Sequence, residues 1–202
     1  MNPVVADADT LFAATTRGLF VYLDYQGLLS LHWSSLILGE MSRALVDTGR
    51  KKNLADARVL EDRLNEALPA AMIDTHDVQR LFAFVQTGVR STKDVHVAAC
   101  ARYLLHAKAY PGVRHVALVT RNVRDFKVRT LQAMGIEVRR PDDFLSHLLS
   151  RSEPDFISAF RHFRQDLTSQ PDPQAMLHAL HRDGLEQTVN LLSVAMSSGA
   201  RL

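Results

Sequence analysis

Cysteine is nearly absent from this chain: one residue, Cys100, among 202. A single thiol excludes a disulfide framework. Its place in the apolar run Val97-Ala98-Ala99-Cys100-Ala101 predicts a buried thiol in a reducing compartment. Long hydrophobic runs are missing too. No uncharged apolar stretch approaches the ~18 residues of a membrane span. The chain opens on a strand pattern, without a basic segment, an apolar segment and a cleavage site. Both features point to a soluble, cytoplasmic protein with no membrane partner. Charge of one sign is scarce as well: 24 Lys and Arg face 22 Asp and Glu, a net +2 that names no partner. G-x-S-x-G, P-loop and G-x-G-x-x-G patterns are all lacking. His178-x-x-His181 has no further ligands to make a zinc site and reads as two exposed histidines.

What is present is an ordinary globular composition, 47% apolar and 23% charged. It is enough for one domain with a full core and a small appendage. Val4-Val5-Ala6 is a short apolar run that ends in Asp7-Ala8-Asp9-Thr10. Strands buried on both faces read this way, and in open α/β sheets ligands sit beyond the carboxyl ends of the strands. A helix capped by Asp9 or Thr10 is expected to run to Gln26-Gly27. An extended piece over 28–33 comes next, then a helix from Ser34 or Ser35 to about Gly49. A further helix covers about 53–68, a brief strand 70–73, and a short helix 77–84. Ser91 opens a helix expected to continue to Tyr110. Strands at 115–120 and 136–138 flank a helix over 127–134, and Pro141 starts another that reaches Leu149. Strands alternating with helices predict an α/β fold, a small parallel sheet of about four or five strands flanked by helices. Beyond a junction at 150–154, Phe156, Ile157, Phe160, Phe163 and Leu167 recur at helical spacing. A second amphipathic stretch is interrupted near Gly184. The expected division is a main domain over 1–150 and a C-terminal helical appendage over 151–202, packed on the domain or on a partner.

Several acids stand where acids are costly. In the helix after Ser35 the apolar stripe is Leu36, Ile37, Met41, Ala44 and Leu45, and Glu40 falls within it. Burying an unpartnered carboxylate costs roughly several kcal/mol. Glu40 therefore needs a cation, an arginine or an opening to solvent. Asp94 lies in the first turn of a helix whose apolar face continues through Val97, Ala98, Ala101 and Leu105. Ser91-x-x-Asp94 also fits a capping box, which alone is a sufficient reason for it. Val116-Ala117-Leu118-Val119-Thr120 is a second apolar strand ending in polar residues, with Asn122 and Asp125 as oxygen donors or as turn formers. Crowded carboxylates raise one another's pKa. A hard cation such as Mg²⁺ or Mn²⁺ relieves that repulsion. The segment from Arg114 to Arg140 is basic, either a solvated surface or a phosphate-contacting face.

The order of these pieces resembles the PIN-domain family, in particular the VapC-type endoribonuclease toxins. The matching segments are Asp7-x-Asp9-Thr10-Leu11; Ser35 to Glu40; Lys93 to Ala101; Val119 to Phe126; and Gly135 to Val138 leading into Pro141 to Leu145. They cover about residues 3–149. By position Asp7, Glu40 and Asp94 match the three acids that hold the metal in that family, which implies Mg²⁺ or Mn²⁺ as cofactor. Asn122 stands where many members have a fourth Asp, and Asp125 is the nearby acid of the same turn. Asp9 takes a helix-capping or supporting role, and Thr120 helps order the acids. The resemblance implies cleavage of RNA, a cognate antitoxin that covers the site and commonly a homodimer. It assigns no chemistry to the helical extension. Arg121, Arg124 and Lys127 sit just past the strand end at Thr120 and are candidate RNA-backbone contacts.

Two other readings stay open at this level. Asp7-Ala8-Asp9-Thr10 fits the opening strand of haloacid-dehalogenase-type phosphatases, with Asp7 as nucleophile and Asp9 as acid/base. That reading lacks a later strand ending in paired acids and leaves Glu40 and Asp94 unexplained. A degenerate PIN domain acting as a binding module is the second, and the presence of all three acids argues against it.

Overall fold

A computed structural model describes residues 2–202. Five strands form one sheet in the order β3-β2-β1-β4-β5, parallel throughout: β1 (Pro3–Ala6), β2 (Ser30–Ser34), β3 (Met72–Ile73), β4 (Val116–Val119) and β5 (Ile136–Arg139). The central strand β1 is buried along its whole length, and Val4, Val5 and Ala6 are fully buried. β1 pairs with β2 on one side and β4 on the other, with Val5 opposite both His32 and Leu118. The chain progresses outward through β2 and β3, then crosses back to β4. The carboxyl ends of β1 and β4 therefore flank the topological switch point, where the loops diverge and leave a crevice. This is the expected α/β architecture, with helices after the last strand. Among the described residues, no helix is long and apolar enough to cross a membrane.

The helices depart from expectation in ways that matter for the site. The segment after β1 is two helices, α1 (Ala8–Phe12) and α2 (Ala14–Tyr25), broken at the extended residue Ala13. The cap of α1 is Asp7, whose Oδ1 accepts from Ala8 N at 2.7 Å, in place of Asp9 or Thr10. Thr10 is buried and donates instead to the Val119 carbonyl of β4 at 3.0 Å. α3 (Ser35–Asp47) begins at Ser34 and α4 (Leu54–Ala67) at Asn53, each with a capping side chain. The single helix expected over 77–84 is α5 (Thr75–Gln79) and α6 (Phe82–Val85). α7 (Val95–Leu104) stops well short of Tyr110, and a 3₁₀ turn over Thr92–Asp94 precedes it. After β4 come α8 (Val128–Ala133) and, beyond β5, α9 (Pro141–Arg151) with proline in its first turn. Gly135, at φ +83°, makes the left-handed turn from α8 into β5.

The C-terminal segment is three helices, α10 (Glu153–Asp166), α11 (Pro173–Arg182) and α12 (Glu186–Ser197), packed on the main domain. Phe156, Phe160 and Phe163 of α10 are buried and join the same continuous core as the sheet. Gly18 in α2 makes this possible, because a Cβ there would meet the Phe163 ring at 2.2 Å. A glycine inside a helix costs roughly 1 kcal/mol relative to alanine, and here close helix approach offsets that cost. Cys100 is buried as expected, and burial pushes its thiol up to about 12.

Two contacts lock the appendage to the domain by the same chemistry. α12 begins after Leu185, which has no side chain to cap it. Asp142, in the first turn of α9, supplies the acceptor: Gln187 N at 2.8 Å, Thr188 N at 2.9 Å and Thr188 Oγ1 at 2.8 Å. α2 begins after Ala13, equally unable to cap. Asp183, between α11 and α12, accepts from Thr16 N and Thr16 Oγ1, both at 3.0 Å. Replacing a capping acid by alanine costs about 0.5–2 kcal/mol. Asp142→Ala should therefore lower the unfolding free energy by about 1–2 kcal/mol in urea titration at neutral pH, with Asp142→Asn retaining most of the stability. Coincident midpoints for Asp142→Ala and the parent would show that this cap contributes nothing.

Candidate active site at the carboxyl edge of the sheet

Asp7 and Asp9 are two residues apart and meet different fates. Asp7 follows the last residue of β1 and is 6% exposed. Its Oδ2 accepts from Thr120 Oγ1 at 2.8 Å, while its Oδ1 caps α1. Asp9 is turned toward the loop after β4. Its carboxylate accepts from Arg121 N at 3.0 and 3.1 Å and from Asn122 N at 3.0 Å, and lies 3.2 Å from Thr120 Oγ1. Asp9 thus holds the β4 loop against α1, so that Asp7 and Thr120 face each other across the switch point. A carboxylate saturated by backbone N–H groups is an anchor, poorly placed to shuttle a proton.

Glu40 does not lie in the centre of the buried stripe. The buried face of α3 is Ile37, Leu38, Met41, Ser42 and Leu45, rotated from the expected one, and Leu36 and Ala44 are only half-buried. The Glu40 side chain, 45% exposed, sits at the rim, where the helix edge opens to solvent. Its Oε2 is 3.3 Å from the buried Nε2 of His96, close enough for an ion pair and without the alignment of a formed hydrogen bond. The adjacent His96 holds Glu40 below its usual pKa, outweighing the opposing effect of burial. His96 is the residue sequence reasoning passed over. Its signal was a lone imidazole on the otherwise apolar buried face of α7.

Asp94 occupies the N-cap position of α7, yet its side chain makes no capping hydrogen bond. Ser91 takes the local role by accepting from Lys93 N at 3.2 Å. The capping-box explanation therefore fails for this acid, and its carboxylate is left unengaged at a helix N-terminus. Burial raises its pKa first, with Asp125, Glu40 and Asp9 adding to the effect. Asp7 is pushed from 3.8 up to about 7, by burial first and then by the neighbouring Asp9, with a smaller contribution from Glu40. The charges of Asp9 and Glu40 are thus felt at both Asp7 and Asp94, and that of Asp125 at Asp94. Asn122 contributes its backbone N–H to Asp9 and its side chain is exposed. Asp125 ends the 3₁₀ turn Val123–Asp125, and its carbonyl accepts from Arg90 N at 2.7 Å.

The nearby cations separate into two kinds. Arg124 and Lys127 are exposed. Arg121 is committed to the appendage, since its Nη1 donates to the Asp183 carbonyl at 2.6 Å and its Nη2 lies 3.5 Å from Thr16 Oγ1. That position is a structural tie which the sequence pattern could not distinguish from a free phosphate contact.

The donor set suits a hard divalent cation: all are carboxylates, one is buried and kept from easy ionisation, and one has no internal partner. Asp7, Glu40 and Asp94 are the residues that could hold it. Among the described residues, no three His, Cys, Asp or Glu side chains stand grouped as a preformed metal site. The acids share an electrostatic neighbourhood without being closed around a point.

Residues 141–194, from the start of α9 into α12, match the family model described as VapC50 C-terminal domain. The match is a similarity of this segment to that domain. It covers the last helix of the predicted main domain and most of the appendage, and leaves the acid-bearing strands and helices outside it. No curated protein and no solved structure matches the chain.

A carboxyl group whose folded pKa exceeds its unfolded value binds more protons when folded. It therefore lowers stability as pH rises through the interval between the two. For Asp7 that interval is from 3.8 to about 7. In buffer free of divalent ions, Asp7→Asn should unfold at higher urea than the parent at pH 8, by on the order of 3 kcal/mol. The difference should vanish near pH 4. A gap that is constant between pH 4 and 8 would reject the assignment of that penalty to Asp7.

Proposed function

We infer that the chain is a divalent-cation-dependent endoribonuclease acting as the toxin of a toxin–antitoxin pair. The supporting observation is the condition of the acids at the switch point. Asp7 is buried, burdened by neighbouring charge and raised in pKa, and Asp94 is not consumed by capping. Structural acids are normally satisfied, whereas perturbed ones in a crevice mark functional sites. The match of 141–194 to the VapC50 C-terminal domain supports the toxin reading from a separate part of the chain.

Asp7, Glu40 and Asp94 would hold Mg²⁺ or Mn²⁺, which supplies Lewis-acid activation of water and charge neutralisation at the phosphate. Thr120 and Asp9 keep Asp7 oriented through the bonds described above, and His96 fixes the Glu40 side chain. Asn122 and Asp125, on the loop after β4, would complete or orient the oxygen surface around the site. Arg124 and Lys127, exposed beside it, contact the RNA backbone without reading sequence. A cognate antitoxin covering this crevice and a homodimer are the partners that accompany the reading. The phosphatase alternative needs Asp9 free to exchange a proton, and its oxygens are held by two backbone N–H groups.

Purified protein incubated with total RNA and a tRNA panel should cleave with Mn²⁺ or Mg²⁺ and stop in EDTA. Asp94→Asn should reduce cleavage by more than about 100-fold, beyond what residues that merely support a ligand contribute. Its thermal midpoint should stay near the parent's, because Asp94 makes no capping bond to lose. Loss of folding in Asp94→Asn would return this residue to a structural role. Cleavage that persists in EDTA would sink the metal-dependent reading, and absence of cleavage with trapping of beryllium fluoride on Asp7 would replace the nuclease with a phosphatase.

A further inference from the structure

A groove of about 410 Å³ adjoins the acid cluster and lies outside the roles assigned above. Asp9 and Glu40 line it at the acidic end. Thr48 and Arg50, beyond the end of α3, line another side, and Phe12, Ala13 and Ala44 provide an apolar surface. Ala8 and Arg121 also line it, and a further wall is Arg182 and Asp183, at the end of α11 where the chain turns into α12. The appendage therefore reaches the edge of the candidate active site and closes one side of it.

This wall is held in place. Asp183 is bonded through its carboxylate to Thr16 and through its carbonyl to Arg121, and α12 is capped by Asp142. Both ends of the turn are thus fixed to the main domain, which gives Arg182 a defined position. Arg182 and Arg50 are exposed, and neither forms an ion pair among the described residues. The Arg50 guanidinium lies 4.3 Å over the Phe12 ring, which orients it without neutralising it. Two uncommitted guanidinium groups facing one groove, next to a cluster of carboxylates, suit an anion that must lie beside those acids.

We propose that the α11–α12 turn is a working wall of the substrate groove, in which Arg182 and Arg50 grip the RNA backbone phosphates flanking the scissile bond. The proposal rests on the nuclease reading and extends it to the appendage. Carboxylates repel the substrate's phosphates, and the arginine pair offsets that repulsion one or two nucleotides away. The apolar surface of Phe12, Ala13 and Ala44 gives the sugar and base a place to lie. The contacts are sequence-independent, because guanidinium–phosphate bonds position a strand without reading it.

The test compares the full-length parent, Arg182→Ala, Arg50→Ala, Arg182→Lys and a control, Arg58→Ala, an exposed arginine on α4 outside the groove. Binding of a labelled single-stranded RNA oligonucleotide is followed by anisotropy in EDTA across a salt series, and cleavage kinetics are measured in Mn²⁺. Arg182→Ala and Arg50→Ala should each weaken binding several-fold and flatten the log Kd against log salt slope by about 0.7 for a lost phosphate contact. They should raise KM more than they lower kcat, and Arg182→Lys should restore most of the slope. If Arg182→Ala and Arg50→Ala behave like Arg58→Ala while the parent binds and cuts RNA, the groove assignment is wrong and the nuclease reading stands. A parent that neither binds nor cuts RNA overturns both.

Discussion

Helix α2 begins after Ala13 and helix α12 after Leu185, and neither residue has a side chain able to accept a hydrogen bond. The first N–H groups of a helix have no partner within it and need one from elsewhere. In this chain Asp183 serves α2 and Asp142 serves α12, across sequence separations of 167 and 45–46 residues. Each acid belongs to one side of the junction between domain and appendage and caps a helix on the other. These two exchanges hold the appendage in a single orientation, and the groove wall follows from that orientation.

The same demand explains how the acids of the site are divided. Asp7 caps α1 with one oxygen and receives Thr120 on the other. Asp9 is taken up by the backbone of Arg121 and Asn122, which fixes the loop after β4. Asp94 holds the N-cap position of α7, but Ser91 has already served the local backbone, and its carboxylate is left over. Glu40 is tied to His96 at the rim. Asp9 fixes the loop after β4, while Asp7 and Asp94 are held above their usual pKa, Asp7 despite two bonds and Asp94 without any.

Much of the fold could be read from local pattern. The apolar runs at Val4 to Ala6 and Val116 to Val119, the Pro at 141 and the Gly at 135 mark strands and helix boundaries through short-range sterics and burial. The parallel sheet and the helical appendage followed from their alternation. The errors share one cause. The break at Ala13, the early end of α7 at Leu104 and the division of 75–85 into two helices depend on partners distant in sequence or on packing that periodicity does not encode. Glu40 was placed within a stripe because helix phase was inferred from residue type, and the true buried face includes Leu38 and Ser42, which shifts it toward solvent.

The sequence by itself determined which residues could be strands, which acids terminated them, and that a single buried thiol and a nearly balanced charge exclude disulfide and strongly basic architectures. Those properties depend on neighbours within a few positions, so they are written locally. The tertiary structure alone decided that Asp7 and Asp9 have opposite duties, that Arg121 is tied to the appendage, and that Arg182 reaches a groove beside Glu40. Each depends on which donors and acceptors meet once the sheet closes and the appendage packs against it. That is settled only when β1, β4 and the α11–α12 turn meet in space.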